Sequence, residues 1–196
     1  MGNGRSELTE AGLSDAELLA QTAAGRTAAF AELVDRHKDG LVRYLSRLTN
    51  RSDRAEDLVQ EAFLRLFRAA GSYREEGRFE PYLYRIATNL LRTDLRRETR
   101  RRLLALRFLA PSNGHSPAPP QTELLAQEEQ RVVARELARL PPRLRIPVVL
   151  FELEGWPYQE IARLLRIRPG TVKSRIHRGR DRLRARLAPF HNGDRR

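Results

Sequence analysis

Two sets of side chains in this 196-residue chain are spaced for chemistry, and they differ in sign. Asp57 and Glu61 sit one helical turn apart, with Gln60 and Leu64 on the same outward face. Two carboxylates so placed admit three readings. They can form a solvated face with a Glu61–Arg65 pair, supply half of a divalent-metal site of a helical nucleotide hydrolase, or dock on a basic protein surface. His37, His115, His177 and His191 are too scattered to complete a ligand set, and the chain has no cysteine. Thiolate catalysis, disulfides and Cys-based zinc are therefore excluded. No catalytic residue, metal or cofactor is assigned.

The second set is basic. Ten Lys/Arg and a single acid, Asp181, lie between Arg163 and Arg186. The segment around them reads as two short helices joined by a tight turn, with Ile161, Leu164 and Leu165 inward on the first. On a helix from Gly170 to Leu187, Val172, Ile176, Gly179 and Leu183 form the inward stripe. Lys173, Ser174, His177 and Arg178 then face outward, where they can donate to or accept from base edges in a major groove. Arg175, Arg180 and Arg182 fall on the flanks, suited to phosphates. Gly170 and Thr171 are expected to leave backbone N–H groups free at the helix start, a further phosphate-binding device. The pattern is that of a helix-turn-helix.

Between Arg85 and Arg107 eight arginines face only Asp94 and Glu98. Tyr73 and Phe79 precede this run, and Tyr82 and Tyr84 lie at its start. Charge for a backbone beside flat rings for unstacked bases is what single-stranded nucleic acid requires. The competing reading, rings in the core and arginines on the surface, is strong for Tyr84 and Phe79 and evenly balanced for Tyr73 and Tyr82.

The elements that must position these groups are helical almost throughout; strand periodicity is nearly absent. Ser14 and Glu17 form a capping box. Helices are expected from there to Gly25, from Thr27 to about Thr49, from caps at Asp53 and Glu56 to Gly71, and from Pro81 to about Phe108. Four prolines without a long apolar side chain between Ala110 and Pro120 mark an extended linker. Helical pattern resumes near Thr122, breaks at Pro141 and Pro142, and breaks again at Gly155. The expected organisation is a disordered tail (1–13), a helical domain (14–108), a linker (109–121), a helix-turn-helix domain (122–188) and a second tail (189–196). The fold class is all-α, two small helical domains. A net charge of +12 and a pI of about 11.2 favour a polyanionic partner. No apolar run is long enough to span a bilayer, so no membrane insertion is expected.

Taken in order, six segments resemble a known family: Ala29-Phe30 with Leu33; the run from Ala55 to Leu64; the run from Tyr82 to Asn89; the turn from Leu140 to Arg143; Glu160 to Ala162; and Gly170 to Arg175. Together they are similar to the extracytoplasmic-function (ECF) sigma factors of bacterial RNA polymerase, over about Ser14 to Leu187. The resemblance implies that Asp57, Gln60, Glu61 and Leu64 contact the polymerase core. It implies that Tyr73, Tyr82, Asn89, Arg92 and Arg96 hold the melted minus-ten element. It implies that Lys173, Ser174, His177 and Arg178 read the minus-thirty-five element, with Thr171, Arg175, Arg180 and Arg182 on phosphates. An anti-sigma partner and a cytoplasmic address follow from the same likeness, and the chemistry of RNA synthesis then belongs to the polymerase. A stand-alone helix-turn-helix regulator is the alternative, although it needs neither the acidic helix nor the basic aromatic one. Departures are Tyr82 in place of tryptophan, Arg26 in place of an acid, Arg166 in place of a turn glycine, and Trp156-Pro157 in place of a polar cap. Arg166 is expected to strain its turn or to add a phosphate contact.

Overall fold

The computed structural model of the chain describes residues 12–73, 79–108 and 126–191. All regular structure among them is helical. The expected linker, the first eleven residues of the N-terminal tail and most of the C-terminal tail lie outside the described residues.

Helix α1 (Asp15–Ala23) opens on the expected capping box. The Glu17 N–H donates to Ser14 Oγ at 3.3 Å, and the Ser14 N–H donates back to Glu17 Oε2 at 2.7 Å. Helix α2 (Thr27–Thr49) ends at Asn50, whose left-handed backbone lets its N–H reach the Ser46 carbonyl. Helix α3 (Ser52–Ala69) starts differently from expectation. Arg51 is its cap residue and no side chain caps it; Asp53 turns instead to Arg51, at 2.6 Å. The Arg51 hydrogen bond, with backbone N–H groups of the first turn, holds the Asp53 carboxyl below its ordinary range. A 3-10 turn (Ala70–Ser72) follows. Helix α4 (Phe79–Phe108) begins two residues ahead of Pro81, because proline is tolerated throughout a first turn, where its missing N–H has no partner to lose.

The second group comprises α5 (Ala126–Ala138), α6 (Pro142–Glu152), α7 (Tyr158–Leu165) and α8 (Pro169–His191). Helix α6 is its centre, with every residue from Leu144 to Leu150 buried. A helix buried on every side belongs in the middle of a bundle. Around it pack Leu137 and Leu140, Ile161, Leu164 and Leu165, and Val172 and Ile176. In the first group Leu18, Leu19, Leu33, Leu41, Leu45, Leu48, Leu66 and Leu83 are fully buried. The Tyr44 hydroxyl meets Thr88 Oγ1 at 2.8 Å, satisfying two buried polar groups between α2 and α4. Arg54 of α3 bridges Asp94 and Glu98 of α4, and thereby fixes the α3 face relative to the α4 face.

The sequence leaves the mutual placement of the two groups open. In the structure α5 and α6 lie against α2, and α7 lies against α4, so buried side chains of both groups form one continuous core. No described helix is long and apolar enough to cross a membrane.

Candidate nucleic-acid interface

The inward stripe of α8 falls where periodicity puts it. Val172 and Ile176 are buried, and Leu183 is half-buried. Lys173, His177, Arg178 and Arg182 are exposed, whereas Ser174, Thr171 and Arg175 are half-buried. Local hydrogen bonds order the outward face. Ser174 Oγ donates to the Thr171 carbonyl at 3.0 Å, and Arg178 donates to the Ser174 carbonyl at 3.3 Å. His177 Nε2 lies 3.4 Å from Asp181. The Thr171 N–H, expected to be free, donates to the Arg168 carbonyl at 2.9 Å, because the turn before α8 tightens around that carbonyl. Arg180 is also engaged: it pairs with Glu152 and lies over the Phe151 ring at 5.4 Å, so a phosphate would have to displace Glu152. The preceding turn carries Arg166 in the left-handed region (φ 55°, ψ 49°), which is the strain expected of a non-glycine residue at this cap.

Residues 82, 85, 89, 92 and 96 of α4 lie on one face of the helix, since their spacing alternates three and four. This stripe runs about 21 Å along the axis at 1.5 Å per residue. Its N-terminal end is aromatic. Tyr73 and Tyr82 have ring centroids 5.0 Å apart, and the Arg85 guanidinium lies 5.2 Å above the Tyr82 ring. Tyr73 and Tyr82 are half-buried, Asn89 and Arg96 exposed. Phe79 and Tyr84 are core residues, at 6% and 4% exposure, as the competing reading held. The loop residues 74–78 lie outside the described residues.

On α3 the buried stripe is Ala55, Leu58, Val59, Ala62, Phe63 and Leu66. Asp57, Gln60 and Leu64 are exposed, and Glu61 holds Arg65 at 2.8 Å. Among the described residues no group of three or more His, Asp or Glu is placed to hold a metal ion. Sequence reasoning missed that this acidic face continues into an apolar one. Phe67 is 45% exposed and meets Phe30 of α2 edge-on, at 5.0 Å between centroids. The signal was present, since Phe67 lies three residues beyond Leu64 on the same side.

Two further features lacked any local signal. Arg92 of α4 is half-buried, and burial pushes its guanidinium below the ordinary value, with the charges of Arg175 and Arg96 acting the same way. Arg175 comes from α8, so a charge on one basic helix acts on the other. Trp156, noted only as a departure at the start of α7, is buried against Tyr84 at 5.0 Å between centroids.

Two regions of the chain match a known family. Residues 33–101 match the family described as sigma-70 region 2, and residues 130–183 match sigma-70, region 4. The first match covers the acidic face of α3 and the stripe of α4; the second covers the helix-turn-helix. ECF RNA polymerase sigma factor SigE of Mycolicibacterium smegmatis is 41% identical over 80% of this chain, which spans 61% of that relative. The ECF RNA polymerase sigma-E factor of Haemophilus influenzae is 33% identical over 91% of this chain and 97% of its own length. SigM of Mycobacterium tuberculosis is 39% identical over 91% of this chain and 87% of its own. Among solved structures, CnrH in complex with the cytosolic domain of CnrY aligns over 89% of this chain and 97% of that one, with a TM-score of 0.65 and 27% identity. RpoE of Bartonella quintana, solved with the anti-sigma factor NepR, shares the fold at a TM-score of 0.65 and 24% identity. With both sigma-70 regions in order, and a relative 33% identical matched over 97% of its own length, the chain belongs to the ECF sigma factors of bacterial RNA polymerase.

Proposed function

We propose that this chain docks on the polymerase core through α3 and reads a two-part promoter through α4 and α8, without catalysis of its own. The carrying observation is the sign pattern. One chain of net charge +12 keeps an exposed acidic and apolar face on α3 and basic faces on α4 and α8. An acidic face repels DNA and attracts a basic protein surface, while Leu64 and Phe67 supply apolar area at its edge. Asp57, Gln60, Glu61 and Leu64 are the core contacts in this reading. Tyr73 and Tyr82 stack unpaired bases of the minus-ten element, with Asn89, Arg92 and Arg96 along the strand. Lys173, Ser174, His177 and Arg178 meet base edges of the minus-thirty-five element, and Thr171, Arg175, Arg180 and Arg182 its phosphates. Residues 14–108 and 122–188 act as separate domains joined by the segment between them. An anti-sigma factor is the expected regulator, by likeness to RpoE, which was solved with the anti-sigma factor NepR. The site of action is the cytoplasm, where the polymerase is.

The test is transcription in vitro with bacterial core polymerase on a promoter library, with and without the chain. Start sites that depend on the chain and share two spaced elements are expected. No new start sites, together with no binding to core, would replace this reading with a stand-alone DNA-binding regulator.

A further inference from the structure

Glu152, the last residue of α6, stands 28 positions before Arg180 in the chain. The fold brings the two together: Arg180 donates from Nε to the Glu152 carboxylate, joining α6 to α8. The same guanidinium lies over the Phe151 ring, 5.4 Å from its centroid. Phe151 in turn stacks on Tyr158 of α7, with centroids 4.6 Å apart and planes 6° from parallel. Both rings are half-buried and pack against the core. A cation over an aromatic face is attracted by the ring without using its N–H groups. Arg180 therefore has two separate holds. A ring anchored between α6 and α7 supports its flat face, and one carboxylate occupies its edge.

Arg180 follows Lys173 by seven residues, so the two share one flank of α8, about 10 Å apart along the axis. The Arg180–Glu152 pair is open to solvent, with side-chain exposures of 47% and 33%. The Arg47–Glu154 pair differs, because its carboxylate is only 11% exposed. A carboxylate sunk in the packing is fixed, whereas one in solvent can be exchanged for another anion. Guanidinium binds carboxylate and phosphate through the same in-plane N–H groups. Glu152 thus occupies the place that a DNA phosphate would take on Arg180.

We propose that Glu152 is a built-in phosphate surrogate that limits DNA affinity. It holds Arg180 in the free chain and has to be displaced before Arg180 binds the backbone. Phe151 and Tyr158 keep the guanidinium in position during the exchange. This role rests on the proposed reading of duplex DNA by α8, and adds to it a residue that opposes binding. A contact made by exchange gains less than one made by an unpaired arginine, because the lost ion pair offsets the new one. Phosphate contacts carry no sequence information, so Glu152 weakens binding to every duplex alike. Its effect is to shorten the time spent on nonspecific DNA, which competes in large excess.

The test is binding of the full chain to a mixed-sequence duplex of about 30 base pairs, by fluorescence anisotropy over a salt series. Parent, Glu152→Gln, Arg180→Ala and the double variant are compared. Glutamine keeps the size of the side chain and removes its charge. An exposed ion pair adds little to stability, so each variant is expected to fold, as circular dichroism and thermal melting check. Glu152→Gln should bind roughly three- to tenfold more tightly at low salt, with a salt slope steeper by about one. In the Arg180→Ala background the same substitution should change affinity by less than about twofold, since no guanidinium is left to release. An equal gain in both backgrounds would overturn the proposal, because Glu152 would then act only as a negative charge near DNA. Unchanged affinity and slope in Glu152→Gln would overturn it too, leaving the pair as a tie between α6 and α8. Both of those outcomes leave duplex reading by α8 standing. No duplex binding by any variant would sink that reading, and this proposal with it.

Discussion

Gly179 of α8 passes so close to Val148 of α6 that a Cβ on the glycine would lie 2.5 Å from the valine Cγ2. Val148 is 3% exposed and β-branched, so its methyl cannot rotate away inside a helix. The glycine therefore sets the depth at which α8 seats on α6, and with it the height of Lys173, His177 and Arg178 above the bundle. Gly179→Ala should gain a little helix propensity, under about 1 kcal/mol, and lose more to overpacking, about 1–3 kcal/mol. A net loss in thermal stability is expected, recovered in part by adding Val148→Ala. A Gly179→Ala variant that melts at or above the parent temperature would show that α8 can lift without cost.

The outward residues of α3 make a prediction separable from stability. Asp57→Arg with Glu61→Arg should abolish binding to polymerase core while leaving circular dichroism and thermal melting near the parent values. Both side chains lie on the solvent face, and only the Glu61–Arg65 pair is lost. An exposed i,i+4 pair contributes about 0.3–0.5 kcal/mol. Phe67→Ala adds a graded version, expected to weaken core binding by about 1–2 kcal/mol as an aromatic anchor of an interface does. Unchanged core affinity in the double variant would remove the acidic face from the proposed function.

Base reading and phosphate contact on α8 can be told apart. Arg178→Ala should cost roughly 1–3 kcal/mol at one base position of the minus-thirty-five element and relax the preference there. Arg182→Ala should weaken all sequences alike and reduce the salt slope by about one. Arg180→Ala should do less than Arg182→Ala, because Glu152 and the Phe151 ring already hold its guanidinium. A sequence-independent loss for Arg178→Ala would make Arg178 a phosphate contact.

What was legible in the sequence is what depends on neighbours along the chain. The α2 limits, the Ser14–Glu17 box and the inward stripe from Val172 to Leu183 follow from periodicity, caps and a handful of turn residues. The six family segments located the three candidate faces. What was not legible depends on residues about a hundred positions apart. Nothing local distinguishes Arg145 from the other arginines except its place in an otherwise apolar helix, and the carbonyl it caps belongs to Leu48. Trp156 reads as the unusual start of α7 until Tyr84 is brought beneath it. Asp53 shows the opposite failure: a good cap residue by type, it was drawn to Arg51 two positions away.

The last prediction concerns Arg166, one of two described non-glycine residues with positive φ, the other being Asn50. Asparagine tolerates the left-handed region because its short polar side chain bonds locally, but arginine gains nothing there and pays the contact between Cβ and backbone. Arg166→Gly removes that contact at the end of α7 and adds chain entropy to the unfolded state, so the two effects partly cancel. A net gain of about 0.5–1 kcal/mol in stability is expected. The same substitution removes one of three arginines, with Arg163 and Arg168, that line the groove beside the start of α8. If Arg166 also meets a phosphate, duplex affinity should fall equally on every sequence, with a salt slope smaller by about one. Higher stability with an unchanged salt slope would assign Arg166 to turn strain alone. Lower stability would mean that the αL position is not strained by its side chain.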